Sequence, residues 1–195
     1  MTIKPLLIFA CILLFGATVA AQNKYEREHR IRKVQFPVKA IEYIEEKLQD
    51  AKRIRFYKEI DSAKISYEAK FKKDRLWYSV EFDKNGSLED IEILIKIVDI
   101  PEDTFSKISD YLSSNFTKYR IRRMQQQYPV TKNEAVESTI KNAFQNLMLP
   151  SIKYELIVSG KKVNTYEQFE ILFDAEGNFE KSRKSLPPNY DHVLY

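Results

Sequence analysis

Two carboxylates on one predicted strand are the first residues whose types and spacing could do chemistry. Glu81 and Asp83 alternate along a strand and so share one face, where two acids could act as general acid and general base. Asp83, however, opens a Phe-Asp-x-x-Gly turn that recurs at Asp174. A residue repeated at a repeated turn is explained by the turn, so the sequence predicts no catalytic residue. The predicted turn residues are Asp83, Gly86, Asp174 and Gly177.

Other residues that could support nucleophilic or metal chemistry are few. His29 and His192 lie near opposite ends of the chain, outside the predicted core, with no carboxylates expected to hold either one as a ligand or base. The chain has no Gly-x-Ser-x-Gly motif. The sequence therefore predicts no enzyme, no cofactor and no metal.

Residues 1–21 have the pattern of a signal peptide. Lys4 supplies the positive charge, Leu6–Phe15 is apolar, and the small residues that follow end at Ala21. The apolar run is too short for a membrane span with normal flanks, so no stable span is expected after cleavage. The sequence predicts an exported protein, periplasmic or secreted, whose mature chain begins at Gln22.

Lipid attachment at Cys11 is the alternative reading of this N-terminal run. Ala10 is the small residue expected before a lipidated cysteine. Phe9 is bulky for its place, few apolar residues precede Cys11, and the apolar run continues beyond it, so we expect no lipid anchor. The mature chain then has no cysteine, which excludes disulfides and a thiolate nucleophile. It is long enough to be held by a hydrophobic core alone.

The charge of the chain is mildly positive and well mixed. It carries 32 Lys and Arg against 28 Asp and Glu, a formal net charge of +4. No concentrated basic field marks a nucleic-acid binder, so no nucleic-acid partner is expected.

Hydrophobic periodicity predicts an α+β fold. Apolar residues at helical spacing predict helices that begin near Val38, Pro101 and Thr131, the last with a Thr131–Glu134 capping box. Alternating stretches predict antiparallel strands with one buried face. These strands are Arg53–Tyr57, Ala63–Phe71, Leu76–Phe82, Leu88–Ile97, Lys118–Gln127, Ile152–Val158 and Tyr166–Phe173.

An internal duplication is the strongest pattern in the sequence. Phe36-Pro37-Val38 recurs 92 residues later as Tyr128-Pro129-Val130, and the Phe-Asp-x-x-Gly turn recurs after 91 residues. We therefore predict a flexible lead-in over residues 22–33, a first repeat over 34–127 and a second, truncated repeat over 128–195.

At these motifs the chain resembles the PepSY-like family of exported bacterial proteins. The residues that carry the resemblance are Trp77-Tyr78-Ser79-Val80-Glu81-Phe82-Asp83 with Gly86 and Ile100-Pro101, then Tyr166-Glu167, Phe169-Glu170-Ile171 and Phe173-Asp174 with Gly177 and Leu186-Pro187. Tandem units of this kind are similar in fold to the beta-lactamase inhibitor protein (BLIP), with helices on one face of an antiparallel sheet. The resemblance implies a binding or inhibitory module without catalysis. That inhibitor carries disulfides, which this mature chain cannot form, so lactamase inhibition is not carried over.

Two groups of residues are candidates for partner binding. Lys118, Arg120 and Arg122 form a basic cluster that could meet an acidic partner, a glycan or a lipid head group; the alternative is a charged edge strand that resists aggregation. Trp77 lies on the strand face opposite Tyr78 and could be an outward-facing hot spot. The alternative for Trp77 is a contact under a loop. Ser79 and Glu81 share its face.

The sequence predicts a non-enzymatic module that binds, and could inhibit or modulate, another envelope or secreted protein through its uncovered sheet face. A uniformly charged face together with a buried Trp77 would exclude this hypothesis. Two alternatives use a pocket between sheet and helices. A small exported enzyme would place Glu81 or another buried acid there, and a ligand carrier would have an apolar pocket.

Overall fold

A computed structural model describes residues 23–24, 26–61 and 64–185 of the chain. The predicted signal peptide, Cys11 and His192 lie outside the described residues. The helices are α1 (Val38–Leu48), α2 (Glu102–Asn115) and α3 (Val136–Phe144). The strands are β1 (Asn23–Lys24), β2 (Glu26–Ile31), β3 (Lys52–Asp61), β4 (Lys64–Lys73), β5 (Leu76–Asp83), β6 (Leu88–Leu94), β7 (Lys118–Pro129), β8 (Lys153–Lys161), β9 (Tyr166–Asp174) and β10 (Phe179–Ser185).

The strands of the described residues form one sheet in the order β1-β10-β9-β8-β7-β6-β5-β4-β3-β2. Neighbouring strands are antiparallel, except that β1 runs parallel to β10. Because β1 and β2 follow each other in the chain but lie at opposite ends of the strand order, the N-terminal segment completes both edges of the sheet. Residues 22–33 were expected as a flexible lead-in; residues 23–24 and 26–31 of that segment are strands.

One face of the sheet is apolar because each strand alternates apolar and polar residues. On β5, Tyr78, Val80 and Phe82 are buried toward the helices, while Ser79 and Glu81 point to the opposite face. Helical stripes then cover this apolar face: Ile44 of α1 and Ile108 of α2 are fully buried. The fold is α+β, with the helices on one face of a mostly antiparallel sheet.

Aromatic contacts fix each helix over its own part of the sheet. Phe36, just before α1, packs against β3, β4 and β5, while Phe144 at the end of α3 stacks on β4 and β5. Tyr111 of α2 packs on β9 and β10. Representative centroid distances are 5.7 Å for Phe36–Phe82, 4.7 Å for Phe144–Tyr78 and 5.4 Å for Tyr111–Phe173.

The two Phe-Asp-x-x-Gly turns have the same geometry. Asp83 Oδ1 accepts hydrogen bonds from the backbone N–H groups of residues 85 and 87, both at 2.8 Å, and Asp174 Oδ1 accepts the equivalent pair at 2.9 and 2.8 Å. Gly86 and Gly177 have φ values of 77° and 85°, which favour glycine. Each turn closes a hairpin, between β5 and β6 and between β9 and β10.

Each turn also lies against the start of a helix. A Cβ on Gly86 would lie 3.0 Å from Ala40 N in α1. A Cβ on Gly177 would lie 2.4 Å from Thr104 O in α2. The second turn is therefore packed on α2, and not on the helix that follows Tyr128-Pro129.

Two sequence-based expectations about the middle of the chain differ from the structure. Tyr128 and Pro129, expected to open the second repeat, end strand β7 instead, so the expected boundary falls inside a strand. The basic stretch at Lys118 was weighed as a charged edge strand, and this alternative is wrong. β7 lies between β6 and β8, near the centre of the sheet.

Candidate functional site

The helix-free face of the sheet forms a charged cavity of about 590 Å³, which we call the trough. Ten carboxylate residues line it: Glu28, Glu59, Asp61, Glu68, Glu81, Glu89, Asp90, Glu92, Glu155 and Glu170. Six cationic residues line it as well: Lys64, Lys70, Arg122, Arg123, Lys181 and Arg183. The acids outnumber the cations, so the trough is negative although the whole chain is positive.

Strand alternation places these charges on one face. On β4, Tyr67, Ala69 and Phe71 contribute to the core, and Glu68 and Lys70 point to the trough. The other strands repeat the pattern, because residues that pair across antiparallel strands share a face. The sheet thus gathers polar residues from strands β2 to β10 into a common cavity.

Lys70 connects the buried Glu68 with the partly buried Glu28 at one end of the trough. Its Nζ lies 2.8 Å from Glu28 Oε1 and 2.6 Å from Glu68 Oε2. Ser79 Oγ donates a short hydrogen bond to Glu68 Oε1. Burial raises the pKa of Glu68, but the Lys70 ammonium and the hydrogen bonds lower it by more, so the net pKa is below its usual range. Glu68 is therefore a stable, ionised member of the site.

Arg183 neutralises a buried acid on the far side of the trough. Its Nη2 and Nε lie 2.5 and 2.6 Å from Glu170 Oε1, and Glu170 is only 4% exposed. A guanidinium makes strong charge-assisted hydrogen bonds to a carboxylate. This pair fixes β10 to β9 on the trough face.

The carboxylates of Glu81, Asp90 and Glu92, on β5 and β6, form a triad. One oxygen from each lies within 4.8 Å of the other two. Burial raises the pKa of Asp90 and of Glu92 well above the usual range, and the neighbouring charges of Glu81 and Glu155 raise both further. The structure supplies amide donors here: Gln127 Nε2 lies 3.2 Å from Asp90 Oδ2, and Gln125 Nε2 donates a short hydrogen bond to Glu92.

A β-bulge on β7 brings two arginines to the trough. The pairing of β7 with β8 shifts between Ile121 and Arg123, and both Arg122 and Arg123 line the cavity. Burial lowers the pKa of Arg123, but Glu92 and Glu155 raise it by more. The Arg123 guanidinium therefore stays charged and faces the acids of β6 and β8.

The trough unites some of the predicted partner-binding residues. Glu81 and Arg122 line it, and Ser79 contacts it through Glu68. Lys118 and Arg120 lie further along β7, where they pair with residues 161 and 159, and do not line the cavity.

Trp77 also lies outside the cavity lining. The Arg53 guanidinium carbon is 5.6 Å from the centroid of its ring, and the side chain is half-buried. The helix-free face carries both charge signs, so the condition set for excluding the binding hypothesis, a uniformly charged face with a buried Trp77, is not met.

Sequence reasoning missed most of the acids of the trough. Glu155 and Glu170 each lie between two core residues, Glu170 between Phe169 and Ile171. The pattern that could have predicted the trough is the recurrence of acidic residues on the polar face of several strands. A single strand with one exposed acid carries no such signal, because most strand acids are solvated.

Comparisons with known proteins establish the fold alone. No family model matches the chain, and no curated protein matches its sequence. A DUF2874 family protein from Bacteroides ovatus is 10% identical with a TM-score of 0.50, covering 82% of this chain and 93% of that one. A protein from Bacteroides eggerthii described among "putative periplasmic proteins" is 15% identical with a TM-score of 0.50, covering 81% and 94%. A BLIP-like protein from Bacteroides fragilis is 14% identical with a TM-score of 0.48, covering 82% and 93%.

None of the helices within residues 23–24, 26–61 and 64–185 has the length and apolar character needed to cross a membrane.

Proposed function

We propose that this chain is an exported, non-enzymatic binding module, and that the trough is the surface that receives its partner. The predicted N-terminal signal peptide and the periplasmic description of the Bacteroides eggerthii structure support export. The single observation that carries the binding role is the trough itself. A folded chain with a positive net charge concentrates its acids on the face that no helix covers.

The charge of the trough defines the chemistry of the partner. Ten carboxylate and six cationic residues line one cavity, so a group that enters it meets an excess of negative charge. Complementary potentials steer association and reject partners of the wrong sign. The proposed partner is an envelope or secreted protein that inserts a basic segment. Inhibition of that partner would follow if the segment belonged to its own active site.

Charge-neutralising variants test this proposal directly. The mature chain would be used to capture partners from the envelope and culture fluid of its host, and the captured protein would then be titrated in purified form. We expect Glu155→Gln, in the trough, to weaken binding about 10-fold, and rising salt to weaken it further. The matched control is Glu137→Gln on the helix side, which should bind as the parent does.

Two outcomes would contradict the proposal. One is a partner that binds equally well to the parent and to Glu155→Gln. The other is binding that does not change with salt. Trp77→Ala belongs in the same series, because a large loss of affinity there would place the contact at the predicted hot spot, outside the trough.

The alternative of a small enzyme has one observation in its favour. Asp90 and Glu92 are acids with raised pKa values beside Glu81 in a cavity, a combination that is common in active sites. The cavity is on the helix-free face, whereas the sequence-based alternative placed it between sheet and helices. Turnover of a glycan or peptide substrate that is lost in Glu81→Gln, without loss of folding, would favour the enzyme. A carrier of apolar ligands gains no support from a trough lined by charges.

A further inference from the structure

The triad of Glu81, Asp90 and Glu92 has the geometry of a site for a divalent cation. Ca²⁺ takes six to eight oxygen ligands at about 2.3–2.6 Å, so two oxygens on one ion can lie up to about 5 Å apart. The three carboxylate oxygens lie within 4.8 Å of one another, which is compatible with that span. We propose that the triad binds Ca²⁺ in the trough.

A neighbouring amide that is hydrogen-bonded to the triad also has an unsatisfied oxygen. Gln125 on β7 is only 5% exposed, and its Nε2 donates to Glu92, which places the amide at the triad. Its Oε1 is buried and receives no hydrogen bond from any described residue. A buried amide oxygen without a donor costs free energy, and amide oxygens are natural Ca²⁺ ligands.

Asp90, within the triad, also has a buried oxygen that accepts no hydrogen bond from any described residue. Its Oδ2 accepts a hydrogen bond from Gln127, but its Oδ1 is buried and has no donor among the residues that the structure describes. An ion bound between Asp90 Oδ1, Gln125 Oε1 and the carboxylates of Glu81 and Glu92 would satisfy both oxygens. Water from the trough would complete the coordination, because the cavity is open to solvent.

A second cluster of acids in the trough already holds an ammonium group between its carboxylates. Glu28, Glu59 and Glu68 also bring one oxygen each within 4.8 Å of one another. There, Lys70 already lies 2.8 Å from Glu28 and 2.6 Å from Glu68. The ammonium supplies the positive charge that a metal would otherwise supply. At the triad, Asp90 and Glu92 receive amide N–H groups, and the Arg123 guanidinium faces Glu92.

This site does not rest on the proposed partner. The isolated chain binds Ca²⁺ or does not, whatever protein enters the trough, so failure of one proposal leaves the other standing. The site also departs from the sequence-based expectation of no metal, because the three acids come from two strands that only the fold brings together.

Isothermal titration of the chain, without its predicted signal peptide, with CaCl₂ tests the proposal. We expect a dissociation constant of about 10⁻⁴–10⁻³ M, typical of extracellular Ca²⁺ modules, and weaker binding of Mg²⁺, which demands a tighter octahedron. Glu92→Gln should weaken Ca²⁺ binding about 10-fold or more. Glu28→Gln, in the cluster neutralised by Lys70, is the matched control and should leave the affinity within about 2-fold.

The unmodified chain provides a readout that needs no variant. Ca²⁺ at about 10 mM should raise its melting temperature, because a ligand that binds only the folded state stabilises it. The proposal is overturned if the titration shows no binding and the melting temperature does not move. It is also overturned if Glu28→Gln weakens binding as much as Glu92→Gln.

Discussion

Arg183 Nη1 on β10 lies 3.8 Å from Asp61 Oδ2 on β3, although six strands separate β10 from β3 in the sheet. Neighbouring strands are about 4.8 Å apart, so a flat sheet would hold these two strands roughly 34 Å apart. The sheet therefore curls until its ends face each other. That curl makes a cavity out of a surface that would otherwise be open.

Replacing Arg183 should destabilise the fold by leaving Glu170 without its guanidinium. For Arg183→Gln we expect the free energy of unfolding to fall by about 2–3 kcal/mol. This is at the low end for a broken buried ion pair, because Arg183 is partly exposed. Urea unfolding measures the difference. Lys181→Gln, on the same strand, is the control and should cost less than about 1 kcal/mol. Equal losses of unfolding free energy in Arg183→Gln and Lys181→Gln would contradict a specific stabilising role for the Arg183–Glu170 ion pair.

Lys70 should stabilise the fold more at neutral pH than in acid. Lys70→Met leaves Glu68, 4% exposed, with an uncompensated charge, and we expect a loss of about 2–4 kcal/mol. Without the ammonium, burial would raise the Glu68 pKa in the folded state above its unfolded value. The stability that Lys70→Met loses relative to the parent should then grow as pH rises. The folded variant holds the Glu68 proton more tightly than the unfolded chain does, so removing that proton favours unfolding.

Lys72→Met on the same strand is the matched control for the Lys70 variant. Unfolding in urea at pH 4 and pH 7 would be compared for both. A deficit in Lys70→Met that is the same at the two pH values would contradict the assignment of Lys70 as the counter-charge of Glu68.

Replacing Gly177 in the second Phe-Asp-x-x-Gly turn with alanine should destabilise the fold more than replacing Gly86 in the first. A non-glycine residue at positive φ costs about 1–2 kcal/mol at either position. At Gly177 the added Cβ would also meet Thr104 O at 2.4 Å, whereas at Gly86 the nearest atoms are 3.0 Å away. Chemical denaturation should show a larger loss for Gly177→Ala than for Gly86→Ala. The reverse order would mean that the turn and α2 are not packed as described.

Asp174 should contribute pH-dependent stability. Burial raises its pKa, but hydrogen bonds from Asn178 and the backbone N–H of Glu176 lower it by more, leaving the folded pKa below the usual aspartate value. Its contribution is present above the unfolded pKa, about 3.9, and is lost as pH falls through the lower folded pKa. The stability gap between the parent and Asp174→Asn should therefore narrow in acid.

Urea unfolding at a series of pH values from about 6 down to 2.5 would check this, across the pKa of an ordinary aspartate. Asp110→Asn, on the exposed side of α2, controls for removal of a carboxylate charge. A gap between the parent and Asp174→Asn that is constant with pH would contradict the prediction.

The sequence predicted the fold class because strand and helix periodicities agree with the final packing. Tyr78, Val80 and Phe82 alternate with polar residues, and that alternation alone decides which face meets the helices. The local turn chemistry of Asp83 was also readable, since its hydrogen bonds lie within four residues.

The expected helix start at Thr131 shows where local patterns are insufficient. Thr131–Glu134 has the residues of a capping box but forms a turn, in which Glu134 N donates to Thr131 O, and α3 begins at Val136. Capping residues favour a helix only if the following face can pack, and tertiary contacts decide that. The curl and the assembly of the trough depend on long-range pairing, which no local pattern specifies.

The expected boundary between the repeats, at residues 127 and 128, falls inside strand β7. Phe36-Pro37 precedes α1 and Ile100-Pro101 precedes α2, and each of these helices receives a Phe-Asp-x-x-Gly turn. The duplication itself stays a prediction of the sequence, while the structure places α1 against the β5–β6 turn and α2 against the β9–β10 turn. Pro129 ends strand β7, whereas Pro37 directly precedes helix α1.

The position of β1 and β2 has a consequence for the order of folding. Asn23 pairs with Lys184, so the contact that joins the first strand to β10 links residues at nearly the full length of the fold. In a chain synthesised from its N-terminus, β1 cannot pair until β10 has been made. Contacts between residues so far apart in sequence form slowly. Strand β10 also supplies Lys181 and Arg183 to the trough, so a chain cut short before β10 would lack two of the cations that line it.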